Sequence, residues 1–294
     1  MVTFLLSYFI SCRLPDGVTY SVDKLLLDFK LAAPSGEEWS ERFFRFLSLN
    51  MDLEYDHWES RKIGTFRHQF TFACLADNSF WVGVGLNSSG KAVNRVRLEF
   101  NPNKVGRDLS FLRVFNRLCA LASRPPGFVR FDLAVDVPVL RENIFLLKDR
   151  RLYEEYRLSE SNRTQYLGER NRPGRCKLYN KQQESHLPQP LSRLEITVDG
   201  EHASPQDVLA IWPPVLILDD LQLAFSDFSL SDIDRFILRS LFLSPDRLTE
   251  LNKWYRQKFG RIMEQYVRTL ALDIHFYEKI IQGLGVFRQA LPIV

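Results

Sequence analysis

The chain is predicted to be an α+β protein, an antiparallel central sheet backed by helices with a helical C-terminal region. Three observations predict this. Residues 65–100 contain three alternating runs separated by turn residues. Three more alternating strands, at 128–137, 177–181 and 192–199, put polar side chains on one face. From residue 229 to 284 the apolar spacing is helical.

The bulk properties are permissive. With 294 residues, 45 % of them hydrophobic, the chain can bury a full core, and most of its 23 Phe are expected there. A net charge of +3 is too weak to indicate a nucleic-acid partner by itself. The local distribution says more: between residues 163 and 181 stand Arg163, Arg170, Arg172, Arg175, Lys177 and Lys181 against Glu169 alone. The cysteines, Cys12, Cys74, Cys119 and Cys176, form no CxxC pair, which argues against zinc and for free thiols in a reducing compartment. Residues 1–12 are apolar but lack a basic n-region and a cleavage site. No run approaches the roughly 18–20 apolar residues of a membrane span. The expectation is a soluble cytoplasmic protein with no membrane partner.

In chain order, residues 4–13 and 20–31 read as strands joined through Pro15-Asp16-Gly17. Ser35 or Ser40 is expected to cap a helix to about residue 50, with Trp39, Phe43, Phe44 and Leu47 at helical spacing. The runs 65–74, 80–86 and 92–100 then form a meander with one buried face. Residues 108–123 read as an amphipathic helix stopped by Arg124-Pro-Pro-Gly127. Residues 146–157 are charged and read as helical. Ser204-Pro205 starts a short helix that Pro213-Pro214 ends. A soft boundary near 200–228 divides a domain at 1–200 from a mostly helical region at 201–294.

The chemistry concentrates on three strands. In Phe128-Val-Arg-Phe-Asp-Leu-Ala-Val-Asp-Val137, Asp132, Ala134 and Asp136 share a face. Aspartate is a poor strand former, and the small Ala134 leaves room between the two acids, which would suit a hard divalent cation; a solvated polar face is the simpler alternative. In Ser192-Arg-Leu-Glu-Ile-Thr197, Arg193, Glu195 and Thr197 share the polar face, most simply with Arg193 and Glu195 as a surface ion pair. In Lys177-Leu-Tyr-Asn-Lys181, Tyr179 and Lys181 point the same way. A free tyrosine is a weak nucleophile, and needs a polarised phosphate or a nearby cation to act.

Taken together, Arg130-Phe-Asp-Leu-Ala-Val-Asp136, Tyr166-Leu-Gly-Glu-Arg170, Lys177-Leu-Tyr-Asn-Lys-Gln-Gln-Glu184 and Arg193-Leu-Glu-Ile-Thr197 resemble the plasmid rolling-circle replication initiators of Gram-positive bacteria. The resemblance is to the group with a single catalytic tyrosine and an acidic metal site, and covers about residues 90–200. It implies a sheet related to the histidine-bearing nicking endonucleases. It also implies an enzyme that cuts one strand at a double-strand origin, stays joined to the 5′ phosphate, and later rejoins the strand without ATP. On that resemblance Tyr179 is the nucleophile. Asp132 and Glu195 are ligands of Mg²⁺ or Mn²⁺, and Asp136 is either a third ligand or a group behind them. Lys181 and Arg193 face phosphate.

The better-known relatives use paired histidines for the metal. This chain has no His-x-His, and only His68 lies on a sheet strand that would let it join the site. The turn carrying Arg170, Arg172 and Arg175, with Lys177 beyond it, is the expected DNA-backbone contact, or else a solvated hairpin tip. Residues 248–268 are the candidate for origin specificity, for docking the host replicative helicase, or for homodimerisation; a solvated charged helix leaves the same pattern. The expected partner is origin DNA, duplex and single-stranded. Two other readings fit the same residues: a DNA-binding replication or regulatory protein without nuclease activity, and a metal nuclease that uses water.

Overall fold

A computed structural model describes residues 11–14, 16–31, 66–74, 78–86, 92–218, 230–243 and 245–289. The helix expected at 35–50 and the first part of the strand expected at 4–13 lie outside the described residues. The remainder is α+β, built on one large antiparallel sheet.

Strand β1 (Ser11–Arg13) pairs with the long β2 (Thr19–Lys30) through a turn in which Gly17 takes φ 86° and Asp16 accepts the Val18 amide. The meander follows as β3 (Phe66–Ala73), β4 (Ser79–Leu86) and β5 (Ala92–Phe100). After a one-turn helix, α1 (Pro102–Val105), comes α2 (Leu109–Leu121), whose N-terminal amides are capped by Asp108. Helix α2 lays Phe111, Phe115 and Leu118 on Phe29, Phe80 and Phe100, so one face of this half of the sheet is an aromatic core.

Next is β6 (Gly127–Val137), and then a departure from expectation. Residues 146–157 are not helical: they run from the end of β7 (Ile144–Leu146) through a connection into β8 (Tyr153–Arg157). Strand β8 is an edge strand, and its charged side chains face solvent there, which hides the period-two pattern. Strands β9 (Arg163–Leu167), β10 (Cys176–Asn180) and β11 (Ser192–Asp199) follow, with a short helix α3 (Lys181–Glu184) between the last two. The sheet order is β3-β4-β5-β2-β6-β11-β10-β9-β8, with β1 paired to β2.

Helix α4 (Pro205–Ile211) begins at Ser204 with a reciprocal Ser204–Asp207 capping box. Beyond it, β12 (Val215–Leu218) pairs with both β7 and β13 (Val267–Thr269), and β13 falls within the stretch 229–284 whose spacing is helical, which the sequence expects to break only near Ser244-Pro245. The helices of this part are α5 (Asp232–Leu243), α6 (Lys253–Tyr266) and α7 (Ile274–Gln289), with a 3-10 turn at Pro245–Glu250. Residues from both sides of position 200 share one core: Val208, Val215, Tyr277 and Ile280 pack in the same cluster as Val22, Leu133 and Leu178. The Tyr20 hydroxyl donates to the Ala271 carbonyl and accepts from the Asp273 amide. Among the described residues no helix is long and apolar enough to cross a membrane.

Candidate functional site

Period two and the pairing register put the candidate residues in adjacent rows across one face of β6, β11 and β10. Glu195 stands opposite Ala134 on one side and Lys177 on the other. Arg193 stands opposite Asp136 and Tyr179, and Thr197 opposite Asp132. The row through Glu195 continues from Lys177 to Tyr166 on β9 and Glu154 on β8. The other face of the same strands carries Leu133, Val135, Ile196 and Leu178 into the core. A one-residue slip would exchange the two faces, so the core fixes the site.

Tyr179 donates its hydroxyl to Glu195 Oε1 at 2.7 Å. The tyrosine is only 6 % exposed, and Lys177 Nζ lies 3.8 Å from its ring centroid. Burial, followed by the charge of Glu195, pushes the phenol well above the ordinary tyrosine range. Glu195 itself is raised by burial, against which Lys177 and the Tyr179 hydroxyl act in the other direction. Asp132 is raised by the same cause, while the Thr197 hydroxyl donates to its Oδ1 at 2.9 Å.

The other predicted residues are placed differently. Asp136 accepts from Arg193 through both oxygens, at 2.6 and 2.7 Å, so its carboxylate is already neutralised and does not stand open beside the other two. Arg193 is correspondingly committed: its Nη1 also donates to Asp23 at 2.8 Å. Burial opposes its charge, but the bonds from Asp136 outweigh that and raise it above the usual arginine value. Asp23 is reached through a bulge in β2, where the register with β6 shifts between Val22 and Lys24.

Lys181 starts α3 and pairs with Glu184, with its Nζ 5.9 Å from the Tyr179 ring, so Lys177 is the nearer cation. Strand β3, which carries His68, is the far edge of the sheet, four places from β6, or about 19 Å at the usual strand spacing. His68 therefore does not join these residues.

The basic turn between β9 and β10 is well built. Gly168 and Gly174 have positive φ, and a Cβ on Gly168 would sit 3.2 Å from the Arg175 Cα. The Gly174 amide donates to the Thr197 carbonyl at 2.8 Å and the Thr197 amide to the Arg175 carbonyl at 2.9 Å, which ties the turn to β11. Arg170 and Arg172 are exposed, Arg172 with Glu169 at 3.9 Å, whereas Arg175 folds back over the Tyr166 ring and onto Glu154.

Asp23 and Tyr156 also belong to this face and carry no role in the sequence reading; Thr197 and Tyr166 stand in its strands and motifs without an assigned role. The alternation of β11 carries a signal for Thr197, but no sequence signal marks a bulge at Asp23.

Among the described residues no three His, Cys, Asp or Glu side chains come together as a metal-binding group. Asp132 and Glu195 each accept one hydroxyl donor, and among the described residues no hydrogen bond reaches their second oxygens. That donor set fits an ion of the magnesium type, which takes one or two carboxylates and fills its shell with water and phosphate. It does not fit an all-protein cage.

No family model and no curated protein matches the sequence. Among solved structures, the chain is similar to a rolling circle replication initiator protein from Geobacillus stearothermophilus. The identity is 13 %, over 95 % of this chain and 99 % of that one, with a TM-score of 0.35. A likeness at that score carries no functional argument, and the chemistry has to be read from the side chains.

Proposed function

We propose that the chain is a replication initiator that nicks one DNA strand at an origin through Tyr179. The observation that carries this reading is the 2.7 Å hydrogen bond from the Tyr179 hydroxyl to Glu195, beneath Lys177, on a sheet face flanked by a basic turn. A buried phenol is a poor nucleophile unless its proton has somewhere to go. Glu195 accepts the hydroxyl's hydrogen bond and is in place to take that proton.

In the proposed step, the Tyr179 oxygen forms a bond to phosphorus as its proton passes to Glu195. The bond from phosphorus to the 3′ oxygen breaks, and that oxygen leaves as a hydroxyl with a proton from solvent. The product is a 5′-phosphotyrosyl link and a free 3′ end. Attack by a 3′ hydroxyl on the same link reverses the step and rejoins the strand. Asp132 and Glu195 are the residues that would hold Mg²⁺ or Mn²⁺, which when bound stabilises the charge developing on the phosphate. Lys177 covers the tyrosine ring in the absence of DNA and is the cation best placed to meet the phosphate when the ring is uncovered.

The test is incubation of the protein with labelled single-stranded origin DNA and Mg²⁺, followed by a denaturing gel and peptide mapping. A covalent adduct mapping to Tyr179 is expected, absent in Tyr179→Phe, with duplex binding retained by that variant. Cleavage by Tyr179→Phe would sink the nucleophile assignment. Undiminished cleavage in excess EDTA would sink the carboxylate metal site. A second reading, a DNA-binding replication protein without nuclease activity, is favoured by the near-complete burial of Tyr179. It predicts binding with no adduct.

A further inference from the structure

Beside the tyrosine, on the same sheet face, lies a cleft of about 600 Å³. Its floor is Asp132 and Thr197 on β6 and β11, and its far wall is Tyr166 and Tyr156 on β9 and β8. The β9–β10 turn closes one end with Arg170 and Arg175. Tyr166 stands in register with Lys177, the residue covering Tyr179, so one row separates the cleft from the candidate nucleophile.

Two features of this cleft bear on what it would hold. Tyr156 is 66 % exposed, an unusual position for a large aromatic ring on an edge strand. It meets Tyr166 at right angles, at 5.9 Å and 86°, and most of its surface stays open to solvent. By contrast Tyr166 already carries the Arg175 guanidinium over its ring at 4.7 Å. The second feature is the set of cations: Arg130 and Lys24 line the cleft beside Asp132, and Arg170 stands exposed at its end. Together they favour an anionic ligand.

We infer that this cleft binds an unpaired nucleotide of the DNA strand next to the scissile phosphate, with its base stacked on Tyr156 and its phosphate held by Arg130 and Arg170. This rests on the strand-nicking reading and adds to it a subsite with named residues. The volume falls within the roughly 300–1,000 Å³ of small-ligand pockets, enough for a nucleotide and far too small for a duplex. An open aromatic face serves only a base whose own face is free, and paired bases in a duplex cover theirs. The two wall carboxylates do not cancel the basic character. Glu154 is paired with Arg175 at 3.6 Å, and Asp132 faces the charges of Arg130 and Lys24.

The experiment uses full-length Tyr179→Phe protein, so that DNA stays uncleaved, and an oligo(dT) strand carrying a single 2-aminopurine. Anisotropy reads affinity and fluorescence reads stacking. Tyr156→Ala is expected to weaken binding about ten-fold and to abolish the quench, and Tyr156→Phe to retain both. Arg130→Gln is expected to weaken binding and lower the salt dependence by about one phosphate contact. Since Tyr156 is exposed, its loss leaves the fold intact, and equal thermal melts confirm that. Affinity and quench unchanged in Tyr156→Ala overturn the subsite. The native chain in the adduct assay separates the two ideas: an adduct with no Tyr156 dependence of binding defeats the cleft alone. Tyr156-dependent binding with no adduct defeats the nicking step alone.

Discussion

Strands β9, β10 and β11 carry polar groups on both faces, and the two faces hold buried charge in opposite ways. On the underside, Arg141 is 1 % exposed, and its hydrogen bonds go to carbonyl oxygens. Its guanidinium donates to the carbonyls of Arg163, Ile144 and Leu178 at 3.0, 2.6 and 3.3 Å, and to Gln165 Oε1 at 2.8 Å. Gln165 in turn binds the Tyr153 hydroxyl at 2.7 Å. Burial, then the nearby Arg163 charge, bring Arg141 down to about 9, so it is still protonated at neutral pH. Every acceptor there is fixed backbone or locked amide. On the upper face the buried charges are acids, held by hydroxyls that can let go of a proton or turn away. The underside is built to stay as it is, and the upper face to exchange partners.

Substitutions break this contrast in a definite order. Glu195→Gln should have the largest effect: adduct formation in the labelled-strand assay should fall by roughly 10²–10⁴-fold, the usual range for a lost general base. Its urea midpoint should not drop, because the buried acid costs stability rather than adding it. A variant that lost stability and kept activity would assign Glu195 to the underside class.

Arg141→Met should do the reverse. Unmade bonds at buried carbonyls should lower unfolding stability by roughly 3 kcal/mol in urea titrations, with the chemistry of the surviving folded protein intact. Arg193 sharpens the comparison because it lies on the upper face yet is locked between Asp136 and Asp23. Arg193→Met should cost roughly 2 kcal/mol by stranding a half-buried carboxylate, and an effect confined to DNA affinity would return Arg193 to the phosphate-facing role.

The smallest effect is on pH dependence. Glu195 and Asp132 have folded values raised above their ordinary 4.5 and 3.8, so the folded state keeps protons that the unfolded chain has released. Their stabilising contribution is present in full below the ordinary values and is lost as pH rises through the raised ones. Thermal melts of Glu195→Gln across that range should fall less with rising pH than those of the parent, and parallel curves would contradict the burial argument.

The upper face was the more legible of the two. Alternation in β6, β10 and β11 is a period-two signal, so which residues share a face could be read directly. Which rows meet could not, because register depends on pairing partners far away in the chain. Nor does period two choose between Lys177 and Lys181, which flank Tyr179 at equal spacing; Lys181 opens α3 and turns to Glu184, which leaves Lys177 nearer the ring. The missing register is why Asp136 and Arg193 were given separate roles although they bind each other. The underside was nearly invisible: a lone Arg141 between strands carries no pattern. Tyr153-Glu-Glu-Tyr-Arg157 read as charged helix because an edge strand exposes both its faces in part.

Strand β12 lies between β7 and β13 and so stitches residues 144–146 to residues 267–269. This has a consequence for how such a chain can be recombined. A graft of everything after residue 200 onto a related front half would have to find a matching partner strand for β7, and a matching seat for Tyr20 between Ala271 and Asp273. New binding preferences introduced from outside would therefore arrive more easily as side-chain changes on the outer helices than as an exchanged block. A graft that does succeed should carry residues 144–146 along with it.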